Sequence, residues 1–197
     1  MEAVHVSARA LTRMAREAAS AVAYLSHERV IHRDIRASNY MVDTNRSVKL
    51  ADFGLARKVA QRNAEYTTLS RRVFPILTMA PESLNYGIFS TASDVWALGV
   101  LIYELVTLGA RPYGTMPVED VKNFVGNGGQ PSMPYDATPQ TCALAKLCWQ
   151  QKPEDRPTAA EIVGYLAENP CALRAAFRLD CSPPSSPNLS EASTVSL

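Results

Sequence analysis

From Ser93 to Leu108 the chain is apolar on nearly every side of a helical wheel. A helix of that kind must be enclosed by the rest of the polypeptide. Its richest stretch, Val95 to Val106, is interrupted by Glu104 and is too short to span a bilayer. The remaining option is a central buried helix, with Gly109 expected at the C′ position that ends it. The 197 residues allow one domain built this way and little more, at about 150 residues per domain. A composition of 47% hydrophobic and 20% charged residues excludes a wholly disordered chain.

Twenty Lys and Arg against nineteen Asp and Glu leave a net charge of +1. That balance offers no reason to expect a nucleic-acid or anionic-membrane partner. The four cysteines (Cys142, Cys148, Cys171, Cys181) match neither a secreted disulfide framework nor zinc-ligand spacing. Met1 to His5 carry no apolar core, so no secretory leader is expected. A reduced, cytoplasmic chain is the expectation.

Around the central helix the pattern is mostly helical. Leu11, Met14, Ala18, Val22 and Leu25 follow a 3-4-4-3 spacing that paints one face of a helix over 7–26, with Ser7 as N-cap. Short β-like runs follow at Val30–Ile31, Tyr40–Val42 and Val48–Leu50. Turn residues from Asp43 to Arg46 join the last two into a hairpin. Residues 55–80 show no clean period and read as a long surface loop. A short helix is expected near 118–125, broken by Gly126 to Gly129. Another starts at Thr138 and Pro139 and stops by Pro153. Thr158 and Glu161 form a capping box for a last helix, closed by Pro170. Six Ser and three Pro in 182–197 predict a disordered tail. No internal repeat is present.

The chemistry sits near the front. His32, Arg33, Asp34 and, five residues after the aspartate, Asn39 fit H-R-D-x-x-x-x-N. Asp52, Phe53 and Gly54 follow the hairpin, and Ala80, Pro81 and Glu82 close the segment. Seven fixed residues in the first two motifs match by chance at roughly 10⁻⁹ per start position. These motifs resemble the catalytic loop, metal-binding triplet and activation-segment end of protein kinases, whose phosphoryl transfer requires an acceptor hydroxyl held in line and divalent metal against the phosphate oxygens. Asp34 suits the first task. Asn39 and Asp52 suit the second, as hard oxygen ligands for Mg²⁺. The hairpin between them returns the chain so that Asp52 faces the catalytic loop.

On these motifs the chain resembles the C-terminal lobe of a protein kinase, from the helix at its start to about residue 178. Arg36, Ala37, Ser38 and Asn39 resemble the R-A-A-N of Src-type cytoplasmic tyrosine kinases. Glu65–Tyr66–Thr67, Phe74–Pro75–Ile76, Cys148–Trp149 and Arg156–Pro157–Thr158 are also similar to tyrosine-kinase landmarks. The fold this implies is mainly α with a small β-hairpin, a kinase-like C-lobe over 1–178 followed by a tail over 179–197. The implied cofactors are ATP and Mg²⁺, and the implied partner is a protein substrate bearing tyrosine. The implied catalytic set is Asp34, Arg36 and Asn39, with Met41 as the floor under adenine. Arg33 and Arg57 would clamp a phosphorylated Tyr66. Asp94 would hold the catalytic loop's backbone, and Glu82 would pair with Arg156. His32, Phe53 and Gly54 complete the structural set.

The sequence also departs from that family. Its first Gly is Gly54 and its first Lys is Lys49, so no Gly-rich phosphate loop or β3 lysine precedes the catalytic loop. Leu77, Thr78 and Met79 stand where tyrosine kinases usually carry a basic residue, Trp, then Thr or Met. Leu98–Gly99 stands where Phe-Gly is common. Three expectations follow: a tyrosine kinase represented by its C-lobe, a kinase-like lobe that docks partners without phosphorylating them, or a fragment of a longer kinase with an N-lobe or upstream modules. The location is cytoplasmic, or the cytoplasmic side of a membrane if the chain is part of a receptor.

Overall fold

The computed structural model describes residues 6–61, 64–68 and 74–176. The tail expected over 179–197 and Cys181 lie outside the described residues. Helix α1 spans Ala8–His27, and the Ser7 side chain accepts the Ala10 N–H at 3.2 Å to cap it. Leu11, Ala15, Ala18, Ala19, Val22 and Leu25 form its buried face, while Met14 is only half-buried. Small alanines at the centre of that face let the neighbouring helices approach closely.

The predicted central helix is α3, Thr91–Val106. It begins earlier than expected because Ser90 and Ser93 form a reciprocal capping box ahead of the apolar run. It also ends earlier. Leu108, at φ 53°, takes the left-handed C′ position, and Gly109 follows as C″ with its N–H on the Glu104 carbonyl at 2.8 Å. Trp96, Leu98, Val100 and Ile102 are fully buried around this axis. At Gly99 an added Cβ would lie 2.7 Å from the Cys148 Cβ, so the glycine lets α5 (Pro139–Cys148) dock on α3.

Helix α6 (Ala159–Glu168) packs on α1, and its N-terminus carries the Thr158–Glu161 capping box. Residues 170–176 then run back over the helices. Thr12 accepts the Leu173 N–H at 3.0 Å, Thr141 donates to the Ala172 carbonyl at 2.7 Å, and the Ala176 N–H reaches the Val106 carbonyl at 2.7 Å. Helix α4 (Val118–Gly126) packs against α2 (Pro81–Tyr86). Helix α5 ends at Cys148, before Pro153, which instead opens a 3-10 turn over Pro153–Asp155.

The strands go beyond a single hairpin. Three two-stranded antiparallel sheets occur among the described residues. The expected hairpin joins β2 (Tyr40–Val42) to β3 (Val48–Leu50), with Met41 opposite Lys49. Strand β1 (Val30–Ile31) pairs with β4 (Arg57–Lys58), and β5 (Tyr66–Thr67) pairs with β6 (Ile88–Phe89). Two of these strands, β4 and β5, and a 3-10 turn over Ile76–Thr78 fall inside the 55–80 stretch expected to be a surface loop. Two-residue strands show no period. They exist because a distant partner supplies their hydrogen bonds.

No helix among the described residues is long and apolar enough to cross a membrane.

Candidate active site

The loop from His32 to Asn39 hangs on α3. Asp94, in the first turn of that helix, accepts the His32 N–H at 2.8 Å on one carboxylate oxygen and the Arg33 N–H at 2.9 Å on the other. Arg33 needs that hold, because its φ of 69° lies in the left-handed region, which costs a non-glycine residue about 1–3 kcal/mol. Burial pushes the Asp94 carboxyl up to about 7, and the two N–H donors and the Arg33 charge pull the other way.

At the centre of the loop Asp34 is buried, and the Arg36 Nε stands 3.1 Å from its Oδ1. The Nε–H does not aim at that oxygen, so the contact is an ion pair without a hydrogen bond. Asn39 donates from Nδ2 to the Asp34 carbonyl at 2.8 Å, which leaves its Oδ1 as the free end of the amide. The Asn39 carbonyl accepts the Ala51 N–H at 2.8 Å. That bond ties the end of the loop to the residue before Asp52.

Asp52 is itself left-handed, at φ 58°, and its Oδ1 accepts the Gly54 N–H at 3.2 Å. Asp34, Asn39 and Asp52 are thereby linked by two backbone-anchored bonds. His32 is fully buried, its Nε2 3.2 Å from the Ala51 carbonyl and its ring edge-on to Phe53 with centroids 5.0 Å apart. Burial holds the imidazole below its usual pKa. The top of the site is open: Met41 is 66% exposed and Phe53 50%.

A second cluster surrounds Arg33. Its guanidinium donates to the Leu55 carbonyl, with Nε at 2.7 Å, and lies 4.8 Å from the Tyr66 ring centroid. Phe74 and Phe89, stacked on each other, lie 5.5 and 5.2 Å from the same guanidinium. Arg57 stands 5.9 Å from the Tyr66 centroid and, hydrogen-bonded to the phenol, lowers its pKa. Sequence inspection named Arg33, Arg57 and Tyr66 but neither phenylalanine as part of this cluster. Further off, Arg156 meets both Glu82 oxygens, at 2.7 and 2.8 Å.

Glu104 was legible in the sequence only as an interruption of an apolar stretch. Its Oε2 accepts the Ala37 N–H at 2.8 Å, inside the catalytic loop. A lone carboxylate within the apolar stretch from Val95 to Val106 was the available signal.

A family model described as protein tyrosine and serine/threonine kinase matches residues 2–166. The chain belongs to that kinase family. Its described fold, about half helical with small antiparallel sheets, fits the helical lobe of a kinase. The insulin receptor-related protein of Cavia porcellus is 40% identical over 169 residues, 86% of this chain and 13% of that protein. The insulin receptor of Xenopus laevis is 36% identical over 168 residues, 85% of this chain and 12% of that protein. The tyrosine-protein kinase Abl of Drosophila melanogaster is 43% identical over 153 residues, 78% of this chain and 9% of that protein. The kinase chain thus spans about a tenth of the length of the curated relatives it matches. These relatives make it tyrosine-kinase-like in type. The likeness to Src-type kinases rests on Arg36 to Asn39 and the neighbouring motifs alone.

Proposed function

We propose that this kinase-family chain is the catalytic lobe of a protein tyrosine kinase, transferring the γ-phosphate of ATP to a tyrosine hydroxyl on a protein. Asp34 orients the acceptor hydroxyl and takes its proton, with Arg36 beside it. Asn39 and Asp52 would hold Mg²⁺, and Met41 would lie under the adenine. The donor set suits that ion, because an amide oxygen and a carboxylate are the hard ligands Mg²⁺ prefers. When bound, Mg²⁺ neutralises charge on the phosphate oxygens. The chain's own part is positioning: Asn39 is tied to Asp34 through Nδ2, and Asp52 is carried to the same surface by the bond from Ala51 to Asn39. That linkage is the observation that carries the reading. The setting is cytoplasmic or the cytoplasmic side of a membrane, with an N-lobe and upstream modules in the longer protein.

These residues alone bind Mg·ATP weakly, since no Gly-rich loop or β3 lysine is among them. Each missing charge-assisted contact is worth about 1.5–3 kcal/mol. Calorimetric titration of the chain with Mg·ATP tests this, and low-micromolar affinity overturns it. Phosphate transfer to a tyrosine-containing copolymer, measured on the full-length or N-lobe-complemented protein, tests the chemistry. Asp34→Asn is expected to cut the rate by about 10²-fold or more, the usual contribution of a positioned acid or base. A variant keeping more than roughly a tenth of the rate refutes Asp34 as the base. Complete absence of transfer by the wild type, at saturating nucleotide, favours a docking module that uses the exposed Met41, Val42 and Phe53 face.

A further inference from the structure

The catalytic loop turns at a 3-10 segment over Ala37–Asn39, and the first N–H of such a turn has no partner within it. Arg36 occupies the capping position and makes no side-chain cap bond. An arginine has donors only, so it cannot accept that N–H. The acceptor comes instead from 67 residues away: Glu104 Oε2, at 2.8 Å from the Ala37 nitrogen. Glu104 sits near the end of α3, and Asp94 near its start. Ten residues of helix separate them by about 15 Å, so two carboxylates of one rigid element hold the loop at its two ends.

Burial pushes the Glu104 carboxyl up, and the Ala37 N–H and the Arg36 charge pull the other way. Arg36 thus immediately precedes the residue that Glu104 caps, and its own Nε lies 3.1 Å from Asp34. The Arg36 side chain is 43% exposed, so packing alone does not hold it. We propose that Glu104 is the positioning residue that sets Arg36 against Asp34, by capping Ala37 and by opposing the Arg36 charge. Only its effect on rate rests on the phosphotransfer function proposed above.

Two variants of the full chain separate the two contributions. Glu104→Leu removes acceptor and charge, whereas Glu104→Gln keeps an acceptor oxygen and removes the charge. NMR reads the amide exchange of Ala37 and the order of the Arg36 Nε–H, with the His32 and Arg33 amides as internal controls held by Asp94. In the Leu variant, Ala37 is expected to exchange at least about tenfold faster and Arg36 to become disordered, with His32 and Arg33 unchanged. In the Gln variant, Ala37 stays protected and only Arg36 loosens. Unchanged Ala37 and Arg36 in the Leu variant overturn the proposal, as does uniform loosening of all four sites, which marks general support of the fold. Should the Leu variant fail to fold, an Arg36 that stays ordered in the Gln variant overturns it. In transfer assays the Leu variant is expected to lower kcat about tenfold or more with KM for ATP nearly unchanged. A wild type without transfer counts against the proposed function, and the NMR result still decides Glu104.

Discussion

Arg156 grips Glu82 through both terminal nitrogens, at 2.7 and 2.8 Å, across 74 residues of sequence. The guanidinium also donates to the carbonyls of Gln150, Ala92 and Gln151 and lies 5.2 Å from the Trp96 ring centroid. Its side chain is fully buried and Glu82's nearly so. A pair this dry is costly to form and costlier to break. Glu82→Ala leaves the cation without its counter-charge and is expected to lower stability by about 3–5 kcal/mol in urea unfolding. Arg156→Lys is expected to cost nearly as much, because an ammonium cannot make the two-pronged contact. A loss below about 1 kcal/mol for Glu82→Ala would place the pair among surface ion pairs and contradict the burial argument.

Asp94 gives a pH dependence with a definite sign. Its pKa is about 7 in the fold against 3.8 outside it, with desolvation the leading cause. Between these values the native state binds more protons than the unfolded state. The contribution is therefore fully present below pH 3.8 and is lost as pH rises through about 7. Asp94→Asn removes that slope. Unfolding free energies of both proteins from pH 4 to pH 8 check it. The wild type's stability relative to the variant is expected to decline with rising pH, by at most about 1.4 kcal/mol per unit. Parallel curves refute it.

Gly99 predicts a substitution that helix propensity alone would misjudge. Alanine is favoured over glycine in a helix by about 1 kcal/mol. Here the new methyl would meet the Cys148 Cβ and the Trp149 Nε1, each at 2.7 Å, on a helix packed tightly against α3. Overpacking of this kind costs about 1–3 kcal/mol. Gly99→Ala is expected to lower the thermal midpoint, and an unchanged or raised midpoint shows that α5 yields.

Tyr66 already lies against Arg33 and Arg57 without a phosphate. A phosphate there adds about −1.5 to −2 charge next to two guanidinium groups. Treatment with an active tyrosine kinase is expected to modify Tyr66 and to slow protease cleavage within 55–80. Tyr66→Phe serves as the control. Modification confined to other tyrosines, or equal cleavage with and without the phosphate, removes Tyr66 as a switch.

The motif residues were legible because phosphoryl transfer demands particular side chains at fixed local spacing. Asp34 and Asn39 lie five residues apart on one loop, and Asp52 follows one hairpin later. The central helix was legible too, from its apolar circumference and from turn chemistry at its ends. Its boundaries were less so: the Ser90–Ser93 capping box starts it early, and Leu108 takes the left-handed position that Gly109 was expected to fill.

What the amino-acid order alone determined was the buried helix, the amphipathic helix before the loop, the hairpin and the motifs that mark the kinase family. All depend on neighbours within a few residues, where periodicity and capping act. Only the tertiary structure decided that Val30–Ile31 pairs with Arg57–Lys58, that Tyr66–Thr67 pairs with Ile88–Phe89, and that Glu104 reaches Ala37. A two-residue strand carries too few side chains to declare a partner. A carboxylate inside an apolar run does not say which N–H it will find. The contacts of Asp94 and Glu104 form when the packing of α3 brings distant backbone donors within 3 Å of a carboxylate.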